Sequence, residues 1–488
     1  MNLDTKIPEV IRETAKTLEN KGFEAFLIGG CVRDLLIDRE PKDWDLTTNA
    51  TPEQIQAIFP ETFYENNFGT VGVKTRSEIE TLRVVEITPY RLEGKYSDKR
   101  HPDTVQFSQN IEDDIKRRDF TINALAYNIS KGQIIDLYKG QYDLENKIIK
   151  TVGEPGDRFE EDALRMLRAI RFSAELGFMI NTETQSAIFE MKRFMNNVSR
   201  ERIRDEFTKI IMSRNPMIGL MMTQKLGILE FIAPVLENMV GVDQNKQAHL
   251  YDVWEHSLRA MQHAADKELS LVLRLSALFH DIAKPHTKRE VGDKTTFYGH
   301  DVVGAKVARE TLENLNFSKE IIEKVTNLVR WHMFFSDTQE ITPSAVRRLI
   351  RNVGKDNIWD LMELRKCDRI GSGRPKEEPY RLRKFEAMLD EVMSDPIDVT
   401  MLKINGNILI NDLKMAAGPK IGYILHALLE EVLDNPKNNT EVFLVKRAGE
   451  LAELEIEVLK ALGEIGKEAK KEAQEAEVKE IRGKRGVK

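Results

Sequence analysis

Strand-like runs crowd into the first 150 residues of this 488-residue chain, and helical patterning takes over after them. A helix over about 7–21 leads into "AFLIGG", a second helix begins at Val32, and "WDLTT" follows. A third helix opens at Pro52 behind Thr51, where the fixed φ of proline suits a first turn. "GTVGVKT" and "TLRVVEITPY" complete the strand-like set. This order predicts a small, mostly antiparallel or mixed sheet covered by helices. From about 151 the strands stop. "RFEEDALRMLRAIRFSAELGF" spaces Leu164, Leu167, Ile170 and Ala174 as one helical face, and Gly177 suits a C-cap. Prolines at 216, 234, 285, 343, 375, 379, 396, 419 and 436 punctuate the helical runs, and no internal repeat is visible. The fold class is therefore α+β. Its length requires several cores. The divisions expected are 1–150, 151–215, 216–375, 376–460 and a charged extension over 461–488, read as a frayed helix or disordered tail.

Hydrophobic content is 41% and charged content 31%. No apolar run approaches the ~20 residues that span a bilayer, so no membrane partner is expected. The polar N-terminus lacks an apolar signal core. Cys31 and Cys367 lie far apart and suggest reduced thiols in a cytoplasmic protein. Net charge is −7, which alone disfavours nucleic acid, although phosphate binding needs only local positive fields. Three basic clusters exist, "KRRD" (116–119), "RRLIR" (347–351) and "RLRK" (381–384), each read first as a solvated helix face.

Two carboxylates flank a tryptophan in "KDWDL". On a strand, Asp43 and Asp45 would share a face, where they could jointly bind Mg²⁺, while Trp44 points into the core. "LIGGCVRDLL" sets Gly29 and Gly30 between a strand and a helix, which is either a tight turn or a backbone approach to phosphate. Arg33 follows, suited to pairing with phosphate. Glu86, within "RVVEITPYR", is either an exposed edge residue or a third carboxylate facing the same cleft. Three such carboxylates suit two-metal nucleotidyl transfer. "RRDFTINALAYN" adds Arg118 for phosphate and Asp119 and Asn123, at i and i+4, for ribose hydroxyls.

Taken in order, "LIGGCVRDLL", "KDWDL", "RRDFTINALAYN" and "EEDALRMLRAIRFSAELGF" resemble the class II nucleotidyltransferases, the family of CCA-adding enzymes and bacterial poly(A) polymerases. The resemblance covers about 1–210 and implies a head, neck, body and tail. It implies that Asp43, Asp45 and Glu86 serve the metals. It also implies that Gly29, Gly30, Arg33, Arg118, Asp119 and Asn123 hold the incoming nucleotide.

In "EEDALR", Asp162 and Arg165 stand one helical turn apart, on the same face. This is either a surface ion pair or a reader of bases. Cytosine and adenine each show an amino donor beside a ring-nitrogen acceptor, which an Asp–Arg pair complements, whereas guanine and uracil present a ring N–H to the arginine. The resemblance gives Glu161, Asp162 and Arg165 that templating role, with Arg168 one turn on. The charged loop "PYRLEGKYSDKRHPDTVQF" (89–107) is either a mobile surface loop or, by the resemblance, the flexible loop, with Arg91, Glu93, Tyr96, Asp98 and Arg100. It looks full length, which by the resemblance favours CCA addition or A addition over CC addition.

Six of nine histidines fall between 249 and 300. His256, His280-Asp281, His300, His332 and Asp368 follow the order H…HD…H…H…D, which resembles the HD phosphohydrolase superfamily over about 245–375. The resemblance makes His256, His280, Asp281 and Asp368 ligands of Mg²⁺, Mn²⁺, Ni²⁺ or Co²⁺, with His300 and His332 available for a second ion or phosphate. His249, His263 and His426 are read as satisfied core residues. "GPKIGYILHALLEEVLDNPKNN" resembles the tail that contacts the outer part of tRNA. The expected partners are tRNA, CTP and ATP, the expected cofactor of the first site is Mg²⁺, and a monomer or homodimer is expected.

Overall fold

Seven strands form one mixed sheet in the computed structural model, which describes residues 3–64, 69–94, 105–244, 250–291, 294–334, 341–459 and 462. The strands of the head are β1 (Phe26–Ile28), β2 (Asp45–Thr48), β3 (Thr62–Tyr64), β4 (Val71–Lys74), β5 (Val84–Pro89), β6 (Arg91–Glu93), β7 (Val105–Phe107), β8 (Leu125–Asn128) and β9 (Gln133–Asp136). The order is β3-β4-β5-β2-β1-β8-β9, with β6 and β7 a separate hairpin. Only β2 and β5 run parallel; the other neighbours are antiparallel. Leu27, Leu46, Ile87 and Tyr127 on the central strands are fully buried. Phe26, Ile28, Ala124 and Ala126 form a core with Tyr90, Val152 and the helix Ile111–Lys116, through Ile111 and Ile115. Short strands thereby gain a stable setting by burying apolar side chains.

Helix starts follow local chemistry. Thr51 and Gln54 form a capping box ahead of Pro52. Asn181, Asp252, Ser270 and Thr342 cap their helices by side-chain oxygens. Prolines 216, 234, 285, 343, 419 and 436 sit in first turns, so they open helices. The second head helix is Gly30–Leu36, two residues ahead of the expected start. Strands also continue past 151: Ile148–Ile149 pairs with Met179–Ile180, and Arg289–Val291 with Lys294–Thr296. Both pairs are only two or three residues per strand, too short for their pattern to stand out in sequence.

The chain divides into two compact units, 1–326 with 371–373, and 327–370 with 374–488. The first holds the sheet and the helices after it, including Pro155–Glu161, Leu164–Leu176 and Arg200–Met212. In the second, "RRLIR" is not a solvated face. Arg347 pairs with Asp395 at 2.7 Å, Arg348 with Asp434 at 2.8 Å, and Arg351 with Glu430. In "KRRD" of the first unit, Lys116 is exposed as expected, while the fully buried Asp114 takes Arg117 at 2.5 Å and Arg118 at 3.2 Å. Arg381, Arg383 and Lys384 of "RLRK" are exposed, as expected. His426 is also exposed, on the helix Pro419–Asp434, and His263 is half-buried, so neither is a core histidine. His249 and the extension over 463–488 lie outside the described residues. Both cysteines are buried and unbridged. Among the described residues, no helix is long and apolar enough to cross a membrane.

One close approach fixes the turn Thr121–Asn123 that the site uses. A Cβ on Gly140 would stand 2.3 Å from the Thr121 carbonyl oxygen and 2.9 Å from Leu125. Thr121 also donates to Asp143 at 2.6 Å. Gly140→Ala is expected to destabilise the head by roughly 1–3 kcal/mol through overpacking, read as a lowered Tm; an unchanged Tm would contradict this packing.

Candidate active sites

The first site gathers along the helix-containing segment between β1 and β2 and on the strand beside it. β2 begins at Asp45, so Asp43 is not a strand residue; it lies exposed in the bend ahead of the strand. The Pro41–Trp44 stretch turns to bury Trp44, and that turn delays the strand. Asp45 is registered directly against Glu86 of β5, so the two side chains leave the same face of the sheet. Glu86 is therefore an interior-strand carboxylate, half-buried, and not an edge residue. Burial pushes the Asp45 carboxyl up to about 6, with Asp43 adding to the rise and the Arg118 guanidinium opposing it. Carboxylate oxygens held this way suit a hard divalent cation, which would relieve the charge that burial disfavours.

Gly29 has φ 79° and leads into the helix Gly30–Leu36. A Cβ there would stand 2.6 Å from Nη1 of Arg118 and displace that guanidinium, while the positive φ itself favours glycine. Arg118 also donates Nη1 to the Asn123 carbonyl at 3.4 Å, while its Nε is buried without a hydrogen-bond partner. Arg33 is buried. Its Nε donates to Asp34 at 2.8 Å and its Nη1 to the Asn123 side chain at 2.7 Å. Asn123 in turn donates Nδ2 to Asp119 at 3.1 Å, through a 3₁₀ turn where a helix was the condition for their meeting. The other Asp119 oxygen accepts from Nε and Nη2 of Arg168, at 2.9 and 2.6 Å. Burial alone would raise this carboxyl, but Arg168 holds it well below the usual carboxylate range. Arg33, Asn123, Asp119 and Arg168 thus form one chain of bonds from head to neck.

Asp162 and Arg165 do not share a helical face. The helix Pro155–Glu161 ends at Asp162, which is extended (φ −149°, ψ 105°), and a new helix begins at Leu164. The Asp162 side chain accepts from the Leu164 N–H two residues on, at 3.1 Å, and its two oxygens accept from Arg202 at 3.1 and 2.7 Å. Such a local side chain–backbone bond competes with continuing the helix, which is why helical spacing failed here. Arg165 is directed instead to Glu161 and to the carbonyls of Arg158 and Arg117. Leu164, Leu167, Ile170 and Ala174 are all buried, and Gly177 closes the helix at φ 71° as expected.

Arg202, Glu206 and Phe172 were missed by sequence reasoning. Arg202 and Glu206 stand at i and i+4 of the helix Arg200–Met212, a weak signal by itself. Glu206 is buried and takes Arg171 Nε at 2.7 Å and Lys209 at 3.1 Å. Of the loop residues, Arg91 and Glu93 lie on β6, while Tyr96, Asp98 and Arg100 lie outside the described residues.

The second site contributes four groups within the first unit. His256, on the helix Val253–Asp266, and His280, just past the helix Leu271–Phe279, bring their Nε2 atoms within 2.9 Å. Asp281 Oδ2 lies 3.2 Å from each, and Asp281 Oδ1 lies 3.3 Å from His300 Nε2. His280 Nδ1 faces the Ala277 carbonyl at 2.8 Å and His300 Nδ1 the Phe297 carbonyl at 2.7 Å. Each carbonyl can only accept, so each Nδ1 carries the proton and each Nε2 is left as a donor of electrons to a cation. Two ligand atoms on one ion at about 2.1 Å and right angles stand about 3 Å apart, so this spacing fits a divalent metal. Lys284, also missed in sequence, contacts Asp281 at 2.7 Å and Gln244 at 2.6 Å. Burial would raise the Asp281 carboxyl, but His280, when its Nε2 also carries a proton in place of a metal, and Lys284 hold it well below its ordinary range. His332 and Asp368 belong to the second unit, where His332 Nδ1 faces the Val329 carbonyl at 2.7 Å and Asp368 pairs with Arg365 at 2.9 Å.

Three sequence families match in order: "Poly A polymerase head domain" over 25–150, "Probable RNA and SrmB- binding site of polymerase A" over 177–240, and "HD domain" over 253–370. A CCA-adding enzyme of Lactobacillus helveticus is 46% identical over 209 residues, 42% of this chain and 51% of that one. The chain thus spans about half the length of such curated relatives. A CC-adding tRNA nucleotidyltransferase of Thermus thermophilus is 33% identical over 421 residues, 83% of this chain and 89% of that one. The fold is similar to the crystal structure of the Bacillus stearothermophilus CCA-adding enzyme in complex with CTP, at TM-score 0.66 and 24% identity, covering 90% of this chain and 98% of that one.

The raised Asp45 carboxyl gives a pH-dependent test. In chelator, its ionisation costs stability: nothing below about pH 4, the full amount above about pH 6, at most roughly 3 kcal/mol. Asp45→Asn should therefore raise the Tm of the metal-free protein near neutral pH, with the gain vanishing towards pH 4. A lowered Tm near neutral pH would contradict this account.

Proposed function

Because the chain belongs to the tRNA nucleotidyltransferase and poly(A) polymerase family and carries an HD domain, we propose that it adds CCA to the 3′ end of tRNA, using CTP and ATP without a template. The observation that carries this reading is the register of Asp45 against Glu86, one bend away from Asp43. Mg²⁺ ions held by these carboxylates would lower the pKa of the tRNA 3′ hydroxyl and offset charge on the triphosphate. The 3′ oxygen then bonds to the α-phosphorus, the α–β bridging bond breaks, and pyrophosphate leaves. Arg118, behind Gly29, lies where it can pair with phosphate oxygens. Asp119 and Asn123 support ribose recognition through the chain that ends on Arg168. Asp162 and Arg165 would read the amino and ring-nitrogen edge shared by cytosine and adenine, once Arg202 and Glu161 yield part of their hold.

A second reading, CC addition, is favoured by the Thermus relative, which matches most of the chain. The eleven-residue span between β6 and β7 supports CCA addition, since the resemblance associates CC-only enzymes with a shortened loop. The HD cluster supports a metal-dependent phosphohydrolase activity with Mg²⁺, Mn²⁺, Ni²⁺ or Co²⁺. For Asp368 and His332 that role rests on the sequence motif alone. A cytoplasmic location accords with these substrates.

Transcripts of tRNA lacking the last one, two or three nucleotides, offered CTP and ATP, separate the readings by product length. All three should reach one end point. Arrest after two C additions would establish the second reading, extension of only the longest transcript an A-adding enzyme, and a ladder past the end a poly(A) polymerase. No extension would overturn nucleotidyl transfer and leave the phosphohydrolase. Asp43→Ala or Asp45→Ala should cut extension by at least ~10²–10³-fold and spare phosphohydrolase turnover, while His280→Ala should do the reverse.

A further inference from the structure

Three guanidinium groups converge on one buried ring. Phe172, on the helix Leu164–Leu176, is 4% exposed. Arg33 lies 5.2 Å from its centroid, Arg168 5.6 Å and Arg171 4.0 Å, all within the range of a cation–π contact. Phe120 meets the same ring edge to face at 5.7 Å. Arg33 comes from the head and is bonded to Asn123; Arg168 comes from the neck and is bonded to Asp119; Arg171 is bonded to Glu175 and lies in ion-pair contact with Glu206. Carboxylates and an amide therefore take up hydrogen-bonding edges of these guanidiniums, and the Phe172 ring is a group all three contact. Three cations drawn together, Arg33 and Arg171 largely out of water and Arg168 half-buried, repel one another. An aromatic quadrupole offsets that cost where an aliphatic side chain of similar size does not.

We propose that Phe172 is a positioning residue of the nucleotide site: its ring fixes Arg33 of the head against Arg168 of the neck, and so sets the spacing between the phosphate-holding and base-reading halves. This rests on the nucleotidyl-transfer reading for its functional consequence. A nucleotide must satisfy both halves at once, so a shift between them weakens nucleotide binding and base selection together. It leaves the hold on tRNA unchanged, because the ring is buried beneath the site.

The test uses the full chain. Phe172→Leu keeps the apolar bulk and removes the quadrupole, while Phe172→Tyr keeps the ring. In extension assays, Phe172→Leu should raise the KM for CTP and ATP roughly 10-fold and raise UTP misincorporation, with the KM for tRNA unchanged, and Phe172→Tyr should restore most of the loss. CTP affinity is also read by calorimetry with Ca²⁺, with no turnover needed. If the unmutated protein binds CTP but extends no tRNA, nucleotidyl transfer fails as its function, and the Phe172→Leu affinity ratio still decides the positioning role. Unaltered CTP affinity in Phe172→Leu would overturn the proposal. So would a Phe172→Tyr protein as impaired as Phe172→Leu, or a rise in tRNA KM in step with that for CTP.

Discussion

The pair between buried Asp119 and half-buried Arg168 is the contact on which the first site depends. Two short hydrogen bonds to one carboxylate oxygen join the head to the neck helix, and the second oxygen anchors Asn123 and, through it, Arg33. Burying charges is costly unless each is paired and its remaining lone pairs and protons are satisfied. This network meets that condition by continuing to the backbone N–H of Phe120 on one side and towards Glu206 on the other. Breaking one link would leave several buried groups without partners, which makes the arrangement stiff. Stiffness has a use here. On the proposed reading, a triphosphate held by the head and a base read by the neck would have to be kept at a fixed separation.

The two constellations solve different electrostatic problems. Around Asp45 and Glu86, like charges lie side by side on a sheet, and burial with Asp43 raises the proton affinity of Asp45. Around Asp281, imidazole nitrogens and Lys284 surround a single carboxylate and hold its proton affinity low. The first arrangement asks for cations from outside. The second supplies neutral nitrogen ligands already oriented by backbone carbonyls. Oxygen-rich and nitrogen-rich donor sets select different ions, consistent with two separate chemistries on one chain.

Much of the head was legible because its signals are local. Gly29 and Gly30, the Asp43-Trp44-Asp45 triplet and the Thr51-Pro52 helix start all act within a few residues. What sequence could not supply were partners brought by tertiary folding. Glu86 became a neighbour of Asp45 only through the parallel pairing of strands some forty residues apart. Asp162 spaced like a helical partner of Arg165, yet a local bond from the Leu164 N–H and a bidentate hold by Arg202 decided its conformation. The basic clusters misled for the same reason: the acids that neutralise Arg348 and Arg351 lie on a helix about eighty residues away. Exposed His426 shows the converse error, since apolar neighbours in sequence do not fix which face of a helix is buried.

The central claim is that protein side chains at the break after Glu161 choose the base while the head holds the phosphates. The most direct measurement is the ratio of kcat/KM for CTP and UTP in Asp162→Ala, with the Tm checked against the unmutated chain. The account predicts that discrimination collapses by about 10²-fold or more, the scale of losing a buried hydrogen-bonding partner to a base edge, while the protein stays folded. Discrimination unchanged from the unmutated protein would contradict it and place base selection elsewhere.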